Sequence, residues 1–276
     1  MIGETNLHPL LRRGLGKLDI SSLVFIGAGN VANHLAVALH AKGFDICQVF
    51  SRTQESAKHL AEKVNAGYTT DLSEIESAAD VYIYAVSDNV LPELISKINR
   101  PNALHIHTSG STGIEVFDGF AENYGVLYPL QTFSKYKAVD FSEIPVFVEG
   151  NSEFANSKIY EIAETLSSKI HFMDSVGREK LHLSAVFVCN FVNHLYEIGS
   201  ELVQDAGVDF NVLQALIKET YEKIRTLNPY DAQTGPAVRN DQNIIKKHVE
   251  LLKEKRDLAK IYELISKDIY KLKVEN

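Results

Sequence analysis

The hexapeptide Gly27-Ala28-Gly29-Asn30-Val31-Ala32 constrains this chain more than any other feature. It follows Leu23-Val24-Phe25-Ile26, four apolar residues that read as a short buried strand. It also opens a segment in which Val31, Leu35, Ala38 and Leu39 recur at helical spacing, as far as Ala41. Gly43 ends that helix. Strand, glycine turn and helix in this order match the G-x-G-x-x-A form of the dinucleotide loop. Gly27 permits the tight turn, Gly29 lets a pyrophosphate approach the backbone, and Ala32 allows the helix to pack closely on the strand. Free N–H groups of Asn30 and Val31 then face the phosphates. Glycine pairs between strand and helix also arise as plain turn chemistry; the βαβ setting is what predicts a bound dinucleotide.

The end of the second strand selects between the two nicotinamide cofactors. An NAD site places an acidic residue there to accept from the ribose 2′-hydroxyl. Here the chain runs Val49-Phe50-Ser51-Arg52-Thr53, with Asp45 at the opposite end of the strand and Glu55 already in the next helix. Arg52 can pair with a 2′-phosphate, and Ser51 and Thr53 can donate to the same oxygens. The competing reading is a surface arginine beside an ordinary Ser/Thr helix cap. NADP is the expected cofactor.

Further along, short apolar strands alternate with helical stretches. Ile46–Phe50, Tyr68-Thr69, Val81–Val86, Ala103–His107, Gly125–Tyr128, Pro145–Val148 and Lys169–Phe172 are the predicted strands. Helices are expected near 54–64, 72–78, 90–98, 114–120 and 153–166. Such alternation predicts an α/β fold, a doubly wound parallel (Rossmann) sheet over residues 21–173. From 174 to 276 the pattern is helical throughout, with one long helix from Val176 to about Asp205 and others over 209–227, 241–253 and 256–271. Residues 1–20 lack periodicity and read as an N-terminal extension.

Composition excludes several classes. The 276 residues are 45% hydrophobic and 23% charged, which suits a packed globular protein. A net charge of -8, from 36 acidic and 28 basic residues without a segregated basic face, argues against nucleic acid as partner. No segment approaches the ~20 apolar residues of a membrane span, and no signal-peptide run precedes the first strand. Cys47 and Cys189 lie in apolar stretches with no metal-ligand spacing around them, so buried thiols, no metal site and a cytoplasmic location are expected.

Five further segments extend the pattern: Ala85-Val86-Ser87-Asp88, His107-Thr108-Ser109-Gly110-Ser111, Tyr128-Pro129-Leu130-Gln131-Thr132-Phe133, the stretch from His182 to Asn190, and Thr234–Asp241. With them the chain resembles the superfamily of pyrroline-carboxylate reductase, ketopantoate reductase and the 3-hydroxyacid dehydrogenases. Within it, the chain is similar to NADP oxidoreductases in which a Rossmann-like domain precedes a helical domain of unknown function. That resemblance implies the fold, the cofactor and a homodimer formed through the helical domain.

Candidate site residues follow from position. Val86 and Ser87 end the fourth strand at the cofactor crevice; Ser87 or Asp88 can also cap the next helix. Ser109 fits two roles, holding the carboxamide or a substrate oxygen, or capping its own loop. His182 and Asn190, eight positions apart, project from roughly one side of the long helix. The resemblance to the hydroxyacid dehydrogenases implies a Lys and an Asn on that helix; here Lys180 precedes His182, a departure from their pattern. His182 suits a proton donor to a carbonyl or imine; the competing reading is a structural histidine. Arg239 can clamp a carboxylate or pair with Asp231 or Asp241. These features predict hydride transfer from NADPH to a small carbonyl or imine substrate in an interdomain cleft, with His182, Asn190 and Ser109 as catalytic candidates. The alternative is a non-catalytic NADP(H) sensor.

Overall fold

A computed structural model describes residues 20–135 and 137–275. The expected N-terminal extension therefore lies outside the described residues, apart from Ile20. Contacts divide the chain into two units, at His194 and Leu195.

The first unit is built on β1 (Ser22–Ile26), α1 (Asn30–Ala41), β2 (Asp45–Phe50), α2 (Gln54–Lys63), β3 (Gly67–Thr69), β4 (Val81–Tyr84), α3 (Leu91–Lys97), β5 (Leu104–His107), β6 (Asn123–Pro129), β7 (Val146–Gly150), α4 (Glu153–Leu166) and β8 (Ile170–Phe172). One eight-stranded sheet takes the order β3-β2-β1-β4-β5-β6-β7-β8. Its first six strands are parallel, and the order reverses between β1 and β4, the switch point where such sheets open a crevice. All of Leu23, Val24, Phe25 and Ile26 are fully buried because helices cover both faces. Leu23 and Phe25 meet the layer containing Leu35, Leu39, Ile159 and Ile162; Val24 and Ile26 meet Leu91, Ile95 and Phe117 on the other side.

Three details differ from the sequence expectation. Strand β7 runs antiparallel to β6, and β8 follows β7 in parallel. Hydrophobic period carries no strand direction, and among the described residues no α-helix crosses over between β6 and β7, whose link holds a 3₁₀ turn at Phe141–Glu143. The predicted helices at 72–78 and 114–120 shrink to 3₁₀ turns at Leu72–Glu74 and Ile114–Phe117. Helix α3 begins at Leu91 with Val90 as its cap residue and Pro92 in its first turn, so neither Ser87 nor Asp88 caps it.

The long helix expected from Val176 is present in three contiguous pieces: α5 (Ser175–Ala185), a π-helical segment at Val186–Phe191, and α6 (Val192–Asp205). Residues 174–194, expected to open the helical domain, are grouped by contacts with the sheet unit, because Arg178 of α5 is buried there with Glu149 of β7. Phe187, Val188 and Phe191 are exposed. Cys189 is also exposed and Cys47 half-buried, which corrects the expectation of two buried thiols.

The second unit holds the rest of α6 with α7 (Gln214–Thr226), α8 (Pro229–Ala232), α9 (Gln242–Leu251) and α10 (Arg256–Glu275). Asp241 caps α9 by accepting from the Ile244 N–H at 3.2 Å, and His248 Nδ1 meets the Tyr262 hydroxyl at 2.7 Å. Lys273 sits 3.4 Å above the Tyr230 ring. Among the described residues no helix is long and apolar enough to cross a membrane.

Candidate functional site

A cavity of about 970 Å³ opens at the carboxyl ends of β1, β2, β4, β5 and β6, and every residue that lines it belongs to the first unit. Its floor is the glycine loop. Gly27 takes φ +115°, and a Cβ there would lie 2.4 Å from the Ala85 carbonyl oxygen, so only glycine fits the turn. Gly29 is different: a Cβ would meet nothing within 4 Å, and its backbone faces open space. Gly29 is also the cap residue of α1, which has no side-chain cap and no acid in its first turn. That leaves backbone donors at the start of α1 for an anion. Asn33, buried behind the loop, donates to the carbonyls of Ala28 and Gly29 at 2.9 Å each and holds them away from the cavity.

Gly27, Ala28, Gly29, Asn30 and Val31 line this cavity, and Ala32 is wholly buried in the core, where its small side chain suits helix-to-strand packing. Ser51, Arg52 and Thr53 line the end beside β2. Thr53 is the cap residue of α2, yet its side chain makes no capping bond. Arg52 is exposed and has no ion-pair partner among the described residues. Thr53 therefore does not act as a side-chain cap, and the exposed Arg52 fits a surface position as well as a phosphate site; an arginine beside two hydroxyls with no carboxylate suits a phosphate monoester. Val86 and Ser87 line the middle of the cavity.

Opposite β2, three distant segments converge. His182 of α5 places its Nδ1 3.0 Å from the Tyr128 hydroxyl, with the two rings edge to face. A Cβ on Gly110 would come within 2.6 Å of that same Nδ1, so the glycine is what admits the imidazole. Desolvation raises the Tyr128 pKa, reinforced by the charge of Asp88 and opposed by Arg178. The phenol therefore keeps its proton throughout the neutral range.

One buried network fixes this geometry. Arg178, one helical turn before His182, pairs with Glu149 through Nη1 and donates from Nη2 to the Thr112 carbonyl at 2.6 Å. Glu149 also accepts from the Ser175 N–H at 3.0 Å and hydroxyl at 2.8 Å. Helix α5, strand β7 and the loop after β5 are thereby tied together. His107 supports that loop from below, its Nδ1 accepting from the Ser109 N–H at 3.1 Å. Burial, aided by the Arg178 charge, depresses the His107 pKa to about 3.

Two candidates take other places. The Ser109 hydroxyl lines the cavity but is engaged within its loop, accepting from the N–H groups of Ser111 and Thr112 at 3.1 and 3.0 Å and meeting Thr112 Oγ1 at 3.1 Å. Asn190 is exposed on the π segment and lines no part of the cavity. Arg239 lies in the second unit, exposed, with no bond to Asp231 or Asp241 among the described residues. Neither the Arg178–Glu149 pair nor a role for Tyr128 is among the sequence expectations. A lone acid ending the apolar run Val146-Phe147-Val148 was the available signal for Glu149.

Residues 22–113 match the family model described as NADP oxidoreductase coenzyme F420-dependent, and residues 144–269 match a domain of unknown function, DUF2520. A solved structure from Bacteroides fragilis, named as an NADP oxidoreductase, is 45% identical over 92% of this chain and 100% of its own, with a TM-score of 0.88. The chain belongs to this NADP oxidoreductase family. The fold of the oxidoreductase is shared more widely. An imine reductase from Myxococcus stipitatus, solved with NADP+, covers 92% of this chain and 93% of its own at 15% identity and a TM-score of 0.60. A pyrroline-5-carboxylate reductase from Coxiella burnetii covers 93% and 98% at 16% identity and 0.54. No curated protein matches the sequence.

Proposed function

We propose that this oxidoreductase reduces a small carbonyl or imine compound with NADPH, and that reduction takes place in the cavity above the glycine loop. The supporting observation is that the Tyr128–His182 pair and the loop from Gly27 to Val31 line one continuous space. NADP is the cofactor of the family, and the residues fit it. The α1 N-terminus and Gly29 would hold its pyrophosphate, and Ser51, Arg52 and Thr53 its 2′-phosphate. Bound NADPH supplies a hydride.

The chain's own contribution is a proton at a fixed place. Tyr128 stays neutral, and His182 Nδ1 orients its hydroxyl. If Nδ1 accepts from the phenol, the shared proton lies between them; if Nδ1 donates, the phenol proton is free to point into the cavity. Either arrangement stores one proton next to the substrate end, which a carbonyl oxygen or imine nitrogen needs as it accepts a hydride. Ser109 holds the loop that carries Gly110 instead of touching the reacting atoms. A cytoplasmic homodimer formed through the helical residues remains part of the proposal, with light scattering as its check.

The test is His182→Ala assayed against a panel of oxoacids, cyclic imines and deazaflavins. Turnover should fall at least a hundredfold while the NADPH dissociation constant changes little. Unchanged turnover removes His182 from the mechanism. NADPH binding without oxidation by any member of the panel favours the sensor reading.

A further inference from the structure

Four charged side chains line the cavity, and they are not equivalent. Glu93 is paired with Lys97 at 2.5 Å, and Asp88 accepts from the Ser111 hydroxyl at 2.5 Å. Arg52 and Lys135 have no partner among the described residues. They stand on opposite sides of the glycine loop, because β2 and β6 flank β1 on opposite sides in the sheet order. Arg52 follows β2; Lys135 lies on the link that leaves β6.

That link is fastened to α1. Asn30 Nδ2 donates to the Phe133 carbonyl at 3.0 Å, and His34 Nε2 meets the Ser134 carbonyl at 2.8 Å. The Phe133 ring packs against His34 and against Phe141. The residue after Ser134 is therefore delivered to the cavity beside the first turn of the helix whose N–H groups are uncapped.

Resting on the cofactor reading above, we propose that Lys135 is a pyrophosphate-binding residue, a second cation on the dinucleotide in addition to Arg52. The two cations read different parts of the molecule. A 2′-phosphate lies at the end of the second strand, where Arg52 is, and distinguishes NADPH from NADH. The pyrophosphate lies at the α1 N-terminus and is common to both cofactors. Loss of Lys135 must then weaken NADPH and NADH alike, and loss of Arg52 must weaken NADPH alone.

Equilibrium binding of NADPH and NADH to the full chain, followed by nicotinamide fluorescence, tests this with Lys135→Gln, Lys135→Arg and Arg52→Gln. Lys135→Gln should raise both dissociation constants about tenfold and by the same factor, Lys135→Arg should restore most of the loss, and added salt should reduce the difference from wild type. A loss confined to NADPH assigns Lys135 to the 2′-phosphate and overturns the proposal. Unchanged binding of both cofactors overturns it too, and a higher KM for an acidic substrate in that case makes Lys135 a substrate carboxylate site. Wild-type protein that binds neither cofactor defeats the cofactor reading itself, an outcome distinct from these.

Discussion

His182 Nδ1 lies 3.0 Å from the Tyr128 hydroxyl although 54 residues separate them in the chain. Each side chain alone is ordinary; together they line one cavity with the glycine loop, where the proposed reduction needs a proton. Tyr128→Phe should therefore lower turnover about a hundredfold with little change in NADPH affinity. Because the two residues act as a unit, Tyr128→Phe/His182→Ala should be scarcely worse than the worse single variant. Additive losses in steady-state kinetics would falsify a shared role.

Gly110 offers a second test of the same geometry. A methyl group at this position collides with the His182 ring, 2.6 Å from Nδ1. Gly110→Ala should destabilise the protein by about 1–3 kcal/mol and depress turnover by moving the imidazole. Removing the ring as well, in Gly110→Ala/His182→Ala, should recover the stability. Urea midpoints of Gly110→Ala, His182→Ala and the double variant decide it; a double variant as unstable as Gly110→Ala would show that the strain lies elsewhere.

The Arg178–Glu149 pair is a positioning device, and its loss should be felt in folding first. Arg178 is 1% exposed, so Glu149→Ala leaves a buried guanidinium without its anion, a change that costs about 3–5 kcal/mol. Replacing both partners with apolar residues should restore much of the stability without restoring turnover, since α5 would no longer be tied to the Thr112 carbonyl. Denaturation and activity measured on the same samples separate the two effects.

Acid stability should depend on His107. An unfolded histidine titrates near ~6.5, while buried His107 does so at about 3. Between those values the unfolded chain binds more protons, so stability falls as pH drops from about 6.5 towards 3. His105, also buried and shifted downward by desolvation, acts in the same direction. His107→Asn, which retains an acceptor for the Ser109 N–H, should flatten part of that acid limb in urea titrations at pH 7 and pH 4.5. An unaltered slope would place the acid sensitivity in other groups.

What the sequence made legible was local. The turn at Gly27, the open backbone at Gly29 and the carboxylate-free tip at Ser51-Arg52-Thr53 are each set by a few consecutive residues, and the sheet needs only to bring β1 and β2 side by side. Strand direction was not legible, because alternation of side chains is the same for parallel and antiparallel pairs; β7 shows this. Nor was the partner of His182. Tyr128, Gly110 and His182 meet through three separate crossings of the fold, and no spacing along the chain encodes that meeting. Ser87 looked like a cap because a polar residue follows an apolar strand, yet Pro92 and Val90 set the start of α3.

The bare start of α1 has a consequence outside chemistry. A helix whose first N–H groups lack both a capping side chain and a nearby acid is completed only by something that arrives from solution. Folding and loading are then thermodynamically linked: at a cofactor concentration a hundred times the dissociation constant, the native state gains ~2.7 kcal/mol. In a cell, the amount of this protein that escapes proteolysis should rise and fall with the supply of NADP(H), so abundance itself becomes a readout of the nucleotide pool.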